Sequence, residues 1–362
     1  MSEPLRIALC SAQGAGAHYY GPGMNAWRMY SRLDPRDGEV TLFHASGSQE
    51  PSPVFVATQQ LARPGLPPGV RHLQATWSAR RVLARARPQF DVFHAMTAYW
   101  PAVGPALAAE RAGVPAVVKV AGEGTETLLS GDHVRDLPRR LRVVAMRRIS
   151  AFVAISDTIA DQLETCGVEP DRIWRIPNGV DTDLFGPPSS PPSGRVGRPR
   201  VLFAGAVVRR KRPHLAVRAL ARLRREVDAE LWIAGPCDDP AYHDELRDEV
   251  RSLDLEDHVR WLGFVGDMTE LYREVDAVCL PTEGEGMANV VLEAMASAVP
   301  FVVTPASGMD ELAGTGAGLV VDSGPDVLAG GLATVLADPD PFARAGREAA
   351  VAHYSTAVVL AE

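Results

Sequence analysis

Two glutamates, Glu285 and Glu293, stand with seven residues between them in the stretch LPTEGEGMANVVLEAMASAVP, residues 280–300. A glycine turn at Gly286 follows the first, and the run 288–298 carries Val291, Leu292, Ala294 and Met295 at helical spacing. The first acid therefore precedes a helix and the second lies inside it. A helix start offers N–H groups without intrahelical partners and a partial positive charge, a setting in which a phosphate can settle. Side chains on either side of a diphosphate held there reach the two sugars that it joins. Glu285, in the loop, would face a transferred sugar, and Glu293, in the second turn, would accept hydrogen bonds from ribose hydroxyls. Taken alone, the pair also fits a solvated helix cap beside a surface carboxylate.

A cation completes the pattern. Lys211 and Lys119 are the only lysines in the chain, and Lys211 follows Gly205 by six residues in AGAVVRRKRPH. A compact ammonium on a flexible stem suits a leaving pyrophosphate, although an ordinary surface cation would read the same way.

Glu285-Gly286-Met287, followed by Glu293-Ala294-Met295-Ala296 and Pro300, resembles the E-x7-E signature of the family 4 retaining glycosyltransferases. The resemblance implies that the first glutamate lies by the donor sugar and that the second holds the nucleotide ribose. It also places Gly286, Met287, Ala288 and Asn289 against the donor. Gly205 and Lys211 match the family's G-R-x-x-x-x-K segment, whose two cations hold the diphosphate; Ala206 stands where arginine is usual, so Arg209 or Arg210 would have to supply that charge. Ile176-Pro177-Asn178-Gly179-Val180-Asp181 with Phe185 resembles the family's IPNGVD-x-x-x-F crossing between domains. Gly23-Met24-Asn25, preceded by Gly21 and Pro22, is similar to its glycine loop, which approaches donor phosphate and acceptor, although a plain strand-to-helix turn would read the same way. His94 matches the histidine of a D-x-x-H strand end, yet a lone histidine after an apolar run is also an ordinary structural residue. Where many members carry a histidine touching the donor sugar, this chain has Ala121 and Gly122.

Short apolar runs at 5–10, 39–43, 90–94, 114–120 and 152–156 alternate with helical patterns, and a second series follows at 201–205, 230–235, 259–264, 277–280, 301–304 and 318–321. A proline, serine and glycine stretch at 186–200 separates the two series. The expected fold class is α/β: the GT-B architecture of two Rossmann-like, doubly wound parallel-sheet domains. An N-terminal, acceptor-side domain is expected over 1–185, a linker over 186–200, a donor-side domain over 201–340, and a helical tail over 341–362 crossing back toward the first domain. Ligands of open parallel sheets bind beyond the carboxyl ends of the strands, so the site is expected in an interdomain cleft.

Composition agrees with a globular enzyme and removes other classes. With 46% hydrophobic and 23% charged residues the chain is neither disordered nor fibrous, and its net charge of −8 argues against a general nucleic-acid binder. Four cysteines, Cys10, Cys166, Cys237 and Cys279, lie far apart without C-x-x-C spacing and read as free thiols of a reducing compartment. No basic leader and no apolar run of about 18 residues stands out, so a cytoplasmic location is expected. The basic run 137–149, LPRRLRVVAMRRI, fits either a core-facing helix with a solvated arginine face or a peripheral contact with anionic membrane.

The expected function is transfer of a hexose-type sugar, with retention at the anomeric carbon, from a nucleotide diphosphate sugar to a small-molecule, glycan or lipid-linked acceptor. Glu285 and Lys211 are the expected catalytic residues, and the protein is expected to be a monomer or homodimer. No metal or other cofactor is expected, since the lysine and the helix start would do the work of a divalent ion. An epimerase or phosphorylase on the same scaffold, and a two-domain binding protein without turnover, remain open alternatives.

Overall fold

The apolar runs nearest the starts of the two series become the central strands of two separate parallel sheets. The computed structural model describes residues 3–11, 15, 22–44, 52–63, 66, 68–85, 90–98, 100–122, 145–187, 197–237 and 239–361. Among the described residues the first sheet has seven strands: β1 Leu5–Cys10, β2 Gly38–His44, β3 Phe55–Gln60, β4 Val92–Ala95, β5 Ala116–Val120, β6 Ala151–Ala154 and β7 Ile173–Arg175. Their order across the sheet is β3-β2-β1-β4-β5-β6-β7. The second sheet has six: β8 Arg200–Ala204, β9 Glu230–Ala234, β10 Val259–Gly263, β11 Ala277–Leu280, β12 Phe301–Val303 and β13 Gly318–Val320, in the order β10-β9-β8-β11-β12-β13.

All pairings in both sheets are parallel. Helices must then cover both faces, which is why the inner strands read as continuous apolar runs: Leu9, Phe93, Phe152, Phe203 and Phe301 are all fully buried. The edge strand β3 has no counterpart among the expected strands, because most of its side chains are exposed and it offers neither an apolar run nor an alternation. In each sheet the strand order reverses between two neighbours, β1 and β4 in the first and β8 and β11 in the second. Successive crossovers leave toward opposite faces there, opening a crevice at the carboxyl ends.

The chain forms two compact units, Met1–Pro177 and Asn178–Glu362. The division falls upstream of the 186–200 stretch, of which residues 188–196 lie outside the described residues. Residues 178–185 instead belong with the end of the chain. Val180 donates its N–H to the Tyr354 carbonyl at 2.7 Å and accepts from the Thr356 N–H at 2.9 Å. Arg347, on helix Asp340–His353, spreads one Nη1 over the carbonyls of Thr182, Phe185 and Ala296 at 3.1, 2.9 and 2.8 Å. The same helix lies close over Asn289–Ala296: a Cβ at Gly346 would sit 3.4 Å from the Met295 Cα. Among the described residues no helix is long and apolar enough to cross a membrane.

Candidate glycosyl-transfer site

The second unit's crevice is built first by glycines. Past the end of β8, Gly205 has φ 138, and past β9, Gly235 has φ 150, both in backbone territory that disfavours a side chain. The Gly205 N–H donates to Ala234 and the Gly235 N–H to Gly263, at 2.8 and 2.7 Å, holding three strand ends together. A tight turn, Arg209–Lys211, then brings the Lys211 stem back over Gly205, where a Cβ would meet Nζ at 2.8 Å.

Across the switch point, the loop after β11 meets this turn. Glu283 donates its N–H to the Arg210 carbonyl at 2.8 Å, and Arg210 Nη1 returns a bond to the Gly284 carbonyl at 2.9 Å. The result places Glu285 Oε1 3.1 Å from both Lys211 Nζ and Arg210 Nη1. Burial alone pushes the Glu285 carboxyl up, but the charges of Lys211 and Arg210 and their hydrogen bonds outweigh it and hold the group below its ordinary value. Glu285 is therefore an anion at neutral pH, sharing one oxygen between two cations.

Arg209 does not join them. Its guanidinium pairs with Glu245 at 2.7 Å and lies 4.5 Å from the Tyr242 ring centre. Of the two arginines that could replace the charge missing at Ala206, Arg210 is the one beside Lys211. Arg212, in the left-handed region at φ 48, pairs with Glu283 at 2.6 Å and donates to Ser323 Oγ at 3.1 Å, tying the turn to the loop before helix Pro325–Ala337.

Beyond Glu285 the chain dives inward. Met287 and Ala288 are buried, the Met287 carbonyl accepts from Asn178 Nδ2 at 2.9 Å, and a Cβ at Gly308 would lie 3.3 Å from the Met287 Cα. Helix Asn289–Ala296 starts at Ala288 without a side-chain cap and ends before Ala298, at φ 58. Glu293 is only 3% exposed, with Oε2 3.1 Å from the Tyr272 hydroxyl, which also lies 3.0 Å from the Val290 carbonyl. Neither glutamate is a free surface carboxylate. Asn178 and Tyr272 are positioning groups that sequence reasoning did not assign; Asn178 carried a signal in the IPNGVD segment, Tyr272 carried none.

The first unit corrects one expectation. Gly23, Met24 and Asn25, expected in a glycine loop, form the first turn of helix Pro22–Tyr30, with Pro22 at the position where its fixed φ and missing N–H favour a helix start. Gly21 lies outside the described residues, as do residues 137–144 of the basic run; of its remainder, Met146 and Ile149 are buried. Ala121 and Gly122 are half-buried past the end of β5.

His94, on β4 at the first unit's switch point, is buried and hydrogen-bonded through Nδ1 to the Tyr30 hydroxyl. Burial, helped by the charge of Lys119, lowers its pKa to about 3. The imidazole is neutral in the folded chain, while in the unfolded chain, at its ordinary value of 6.5, it takes up a proton below that pH. Stability should therefore fall as pH drops from about 6.5 toward 3, because the unfolded state binds the extra proton. Denaturant titrations should show His94→Gln losing less stability over that range than the parent; parallel losses would remove His94 as the source.

A model of Glycosyltransferase Family 4 matches residues 21–184, and a model of Glycosyl transferases group 1 matches residues 190–351. The D-inositol 3-phosphate glycosyltransferase of Kineococcus radiotolerans is 31% identical, over 88% of this chain and 82% of its own length. The MMP alpha-(1->4)-mannosyltransferase of Mycolicibacterium hassiacum is 27% identical, over 78% of this chain and 72% of its own. Among solved structures, Anabaena HepE in complex with UDP and glucose superposes with a TM-score of 0.78 at 20% identity, covering 99% of this chain and 97% of that one. Two doubly wound sheets with a cation-lined switch point, matched along both halves, have one common explanation: the chain belongs to the family 4, group 1 glycosyltransferases and is a sugar-transferring enzyme of the GT-B fold.

Proposed function

We propose that the protein transfers a hexose-type sugar, with retention of anomeric configuration, from a nucleoside diphosphate sugar to a hydroxyl acceptor. The observation that carries this reading is the pairing of Lys211 and Arg210 on one oxygen of Glu285, at a switch point and one turn ahead of an uncapped helix start. That constellation suits a diphosphate, and HepE, solved with UDP and glucose, binds such a ligand on the same fold.

In the proposed step the bond between the anomeric carbon and the diphosphate oxygen breaks as the acceptor oxygen bonds to that carbon on the same face. The acceptor's proton passes to the departing phosphate. The sugar becomes oxocarbenium-like while negative charge gathers on the leaving group, so the rate depends on stabilising that group. Lys211, Arg210 and the N–H groups that open helix Asn289–Ala296 serve this purpose, and Glu285 keeps both cations in place before the donor arrives. Glu293 takes the ribose hydroxyls. Added metal is not needed in this reading: Lys211 and Arg210, whose charges together exceed that of Glu285, and the helix start face the diphosphate in place of an ion.

The test is product analysis. Nucleotide sugars are screened against acceptor extracts with and without a chelator, and the anomeric configuration of the product is read by NMR. A retained product formed in chelator supports the reading. An inverted product, an epimerised sugar without acceptor, or binding without turnover overturns it. For Glu293→Gln, which keeps the shape that Tyr272 packs against, nucleoside diphosphate affinity should weaken by about 1.5–3 kcal/mol, the worth of a charged hydrogen bond. Calorimetry with the free nucleotide checks this, and unchanged affinity removes Glu293 from the ribose.

A further inference from the structure

Helix Pro68–Arg85, with the sequence PGVRHLQATWSARRVLAR, contains four arginines and no acidic residue in a chain whose net charge is −8. Its inner face is short and tightly packed. Ala75, Ala79 and Leu83 are buried, and the helix approaches helix Trp100–Ala112 so closely that a Cβ at Gly104 would fall 2.0 Å from Thr76 Oγ1. The opposite face carries Val70, Leu73 and Trp77, exposed by 51%, 75% and 58%. At about 100° per residue these three form one stripe, centred roughly opposite Ala79. Arg80 and Arg81 are exposed at its end, and the Arg81 guanidinium lies 5.2 Å from the Trp77 ring centre.

Single exposed apolar residues are ordinary on any surface, but three in one helical stripe bordered by arginines are not. The combination of an apolar stripe, interfacial tryptophan, long cationic side chains and no carboxylate describes a helix that lies in the plane of a membrane surface. We propose that the outward stripe of helix Pro68–Arg85 rests on an anionic lipid bilayer, with Val70, Leu73 and Trp77 entering the interface and Arg80 and Arg81 meeting lipid phosphates. Charge decides the occupant. A second copy docking through the same stripe would set arginines against arginines across a two-fold axis, whereas anionic lipid complements them. The inference is independent of the donor site in the second unit.

The full chain is sedimented with unilamellar vesicles of phosphatidylcholine alone, or with about a third of the lipid replaced by phosphatidylglycerol, as in a bilayer whose surface potential draws basic side chains. Binding should favour the anionic vesicles and fall in about 0.5 M salt, where charges are screened within a few ångströms. Leu73→Ser with Trp77→Ser should weaken it about tenfold or more, through the apolar area lost. Arg80→Gln with Arg81→Gln should weaken it by a similar factor, at about fivefold per basic residue. Thermal unfolding and donor turnover without vesicles should be the same in parent and variants, which separates loss of the surface from loss of the fold. No binding to anionic vesicles overturns the proposal, and so does equal binding by both double variants, which would move the lipid contact elsewhere. Self-association that the serine pair abolishes, without vesicle binding, also overturns it, in favour of a second copy.

Discussion

Replacing Lys211 with alanine is expected to slow sugar transfer by about two to three orders of magnitude while weakening donor binding only severalfold. The Lys211 side chain is only 16% exposed, its ammonium is held 3.1 Å from Glu285 Oε1, and its stem is laid over Gly205, so the charge is oriented before any ligand arrives. A preorganised charge of this kind acts on the charge that develops as the diphosphate departs, and removing such a donor typically costs about 3 kcal/mol in the barrier. Arg210 remains on the same carboxylate and sustains ground-state binding. Arginine is a poor substitute at position 211, because a planar guanidinium does not fit where a single Cβ on Gly205 would come within 2.8 Å of Nζ. The split between kcat and KM is the measurement. A large rise in KM with kcat intact would assign Lys211 to donor binding alone.

Gly235→Ala should damage the same site from the other side, by damaging the fold. The new methyl would sit 1.9 Å from the Gly205 carbonyl oxygen and 2.5 Å from its carbon, and backbone cannot rotate aside as a side chain can. Positive φ adds its own penalty, so a loss of about 3 kcal/mol or more is expected in the unfolding of the second unit. Gly263 provides the comparison. It also has positive φ, at 63, but nothing lies within 4 Å of its Cβ position, so Gly263→Ala should cost only about 1 kcal/mol. Denaturant midpoints of the two variants separate steric overlap from backbone preference, and equal losses would show that contact with Gly205 contributes nothing. The surviving Gly235→Ala protein should also turn over slowly, since relief of the overlap must shift the residue that carries Lys211's stem.

The central strands were legible because burial on both faces leaves an apolar run in the sequence, as at Leu5–Cys10 and Arg200–Ala204. At the sheet edges that reason fails. β3, FVATQQ, exposes most of its side chains, and β7, IWR, is three residues long, so neither leaves a pattern. In the site, the resemblance singled out Gly205, Lys211 and Glu285, and the structure brings those three together. It could not choose between Arg209 and Arg210, because neighbouring arginines differ only in where the short Arg209–Lys211 turn points them. Nor could it find Tyr272 under Glu293 or Asn178 under Met287, which are joined only by the folded chain. Gly23 illustrates the converse case: a motif made for a loop gives way to Pro22, whose geometry starts a helix.

The bridge between Val180 and Ser355 joins residues from the two ends of the second unit. During synthesis the first of these emerges from the ribosome long before the second, and Arg347, which gathers the carbonyls of Thr182, Phe185 and Ala296, is likewise made late. The first unit can fold as it emerges, but the second unit cannot close until nearly all of its own sequence has been translated. The order of translation thus makes the second unit mature after the first, and leaves helix Asn289–Ala296 without the Arg347 clamp until residue 347 has been made.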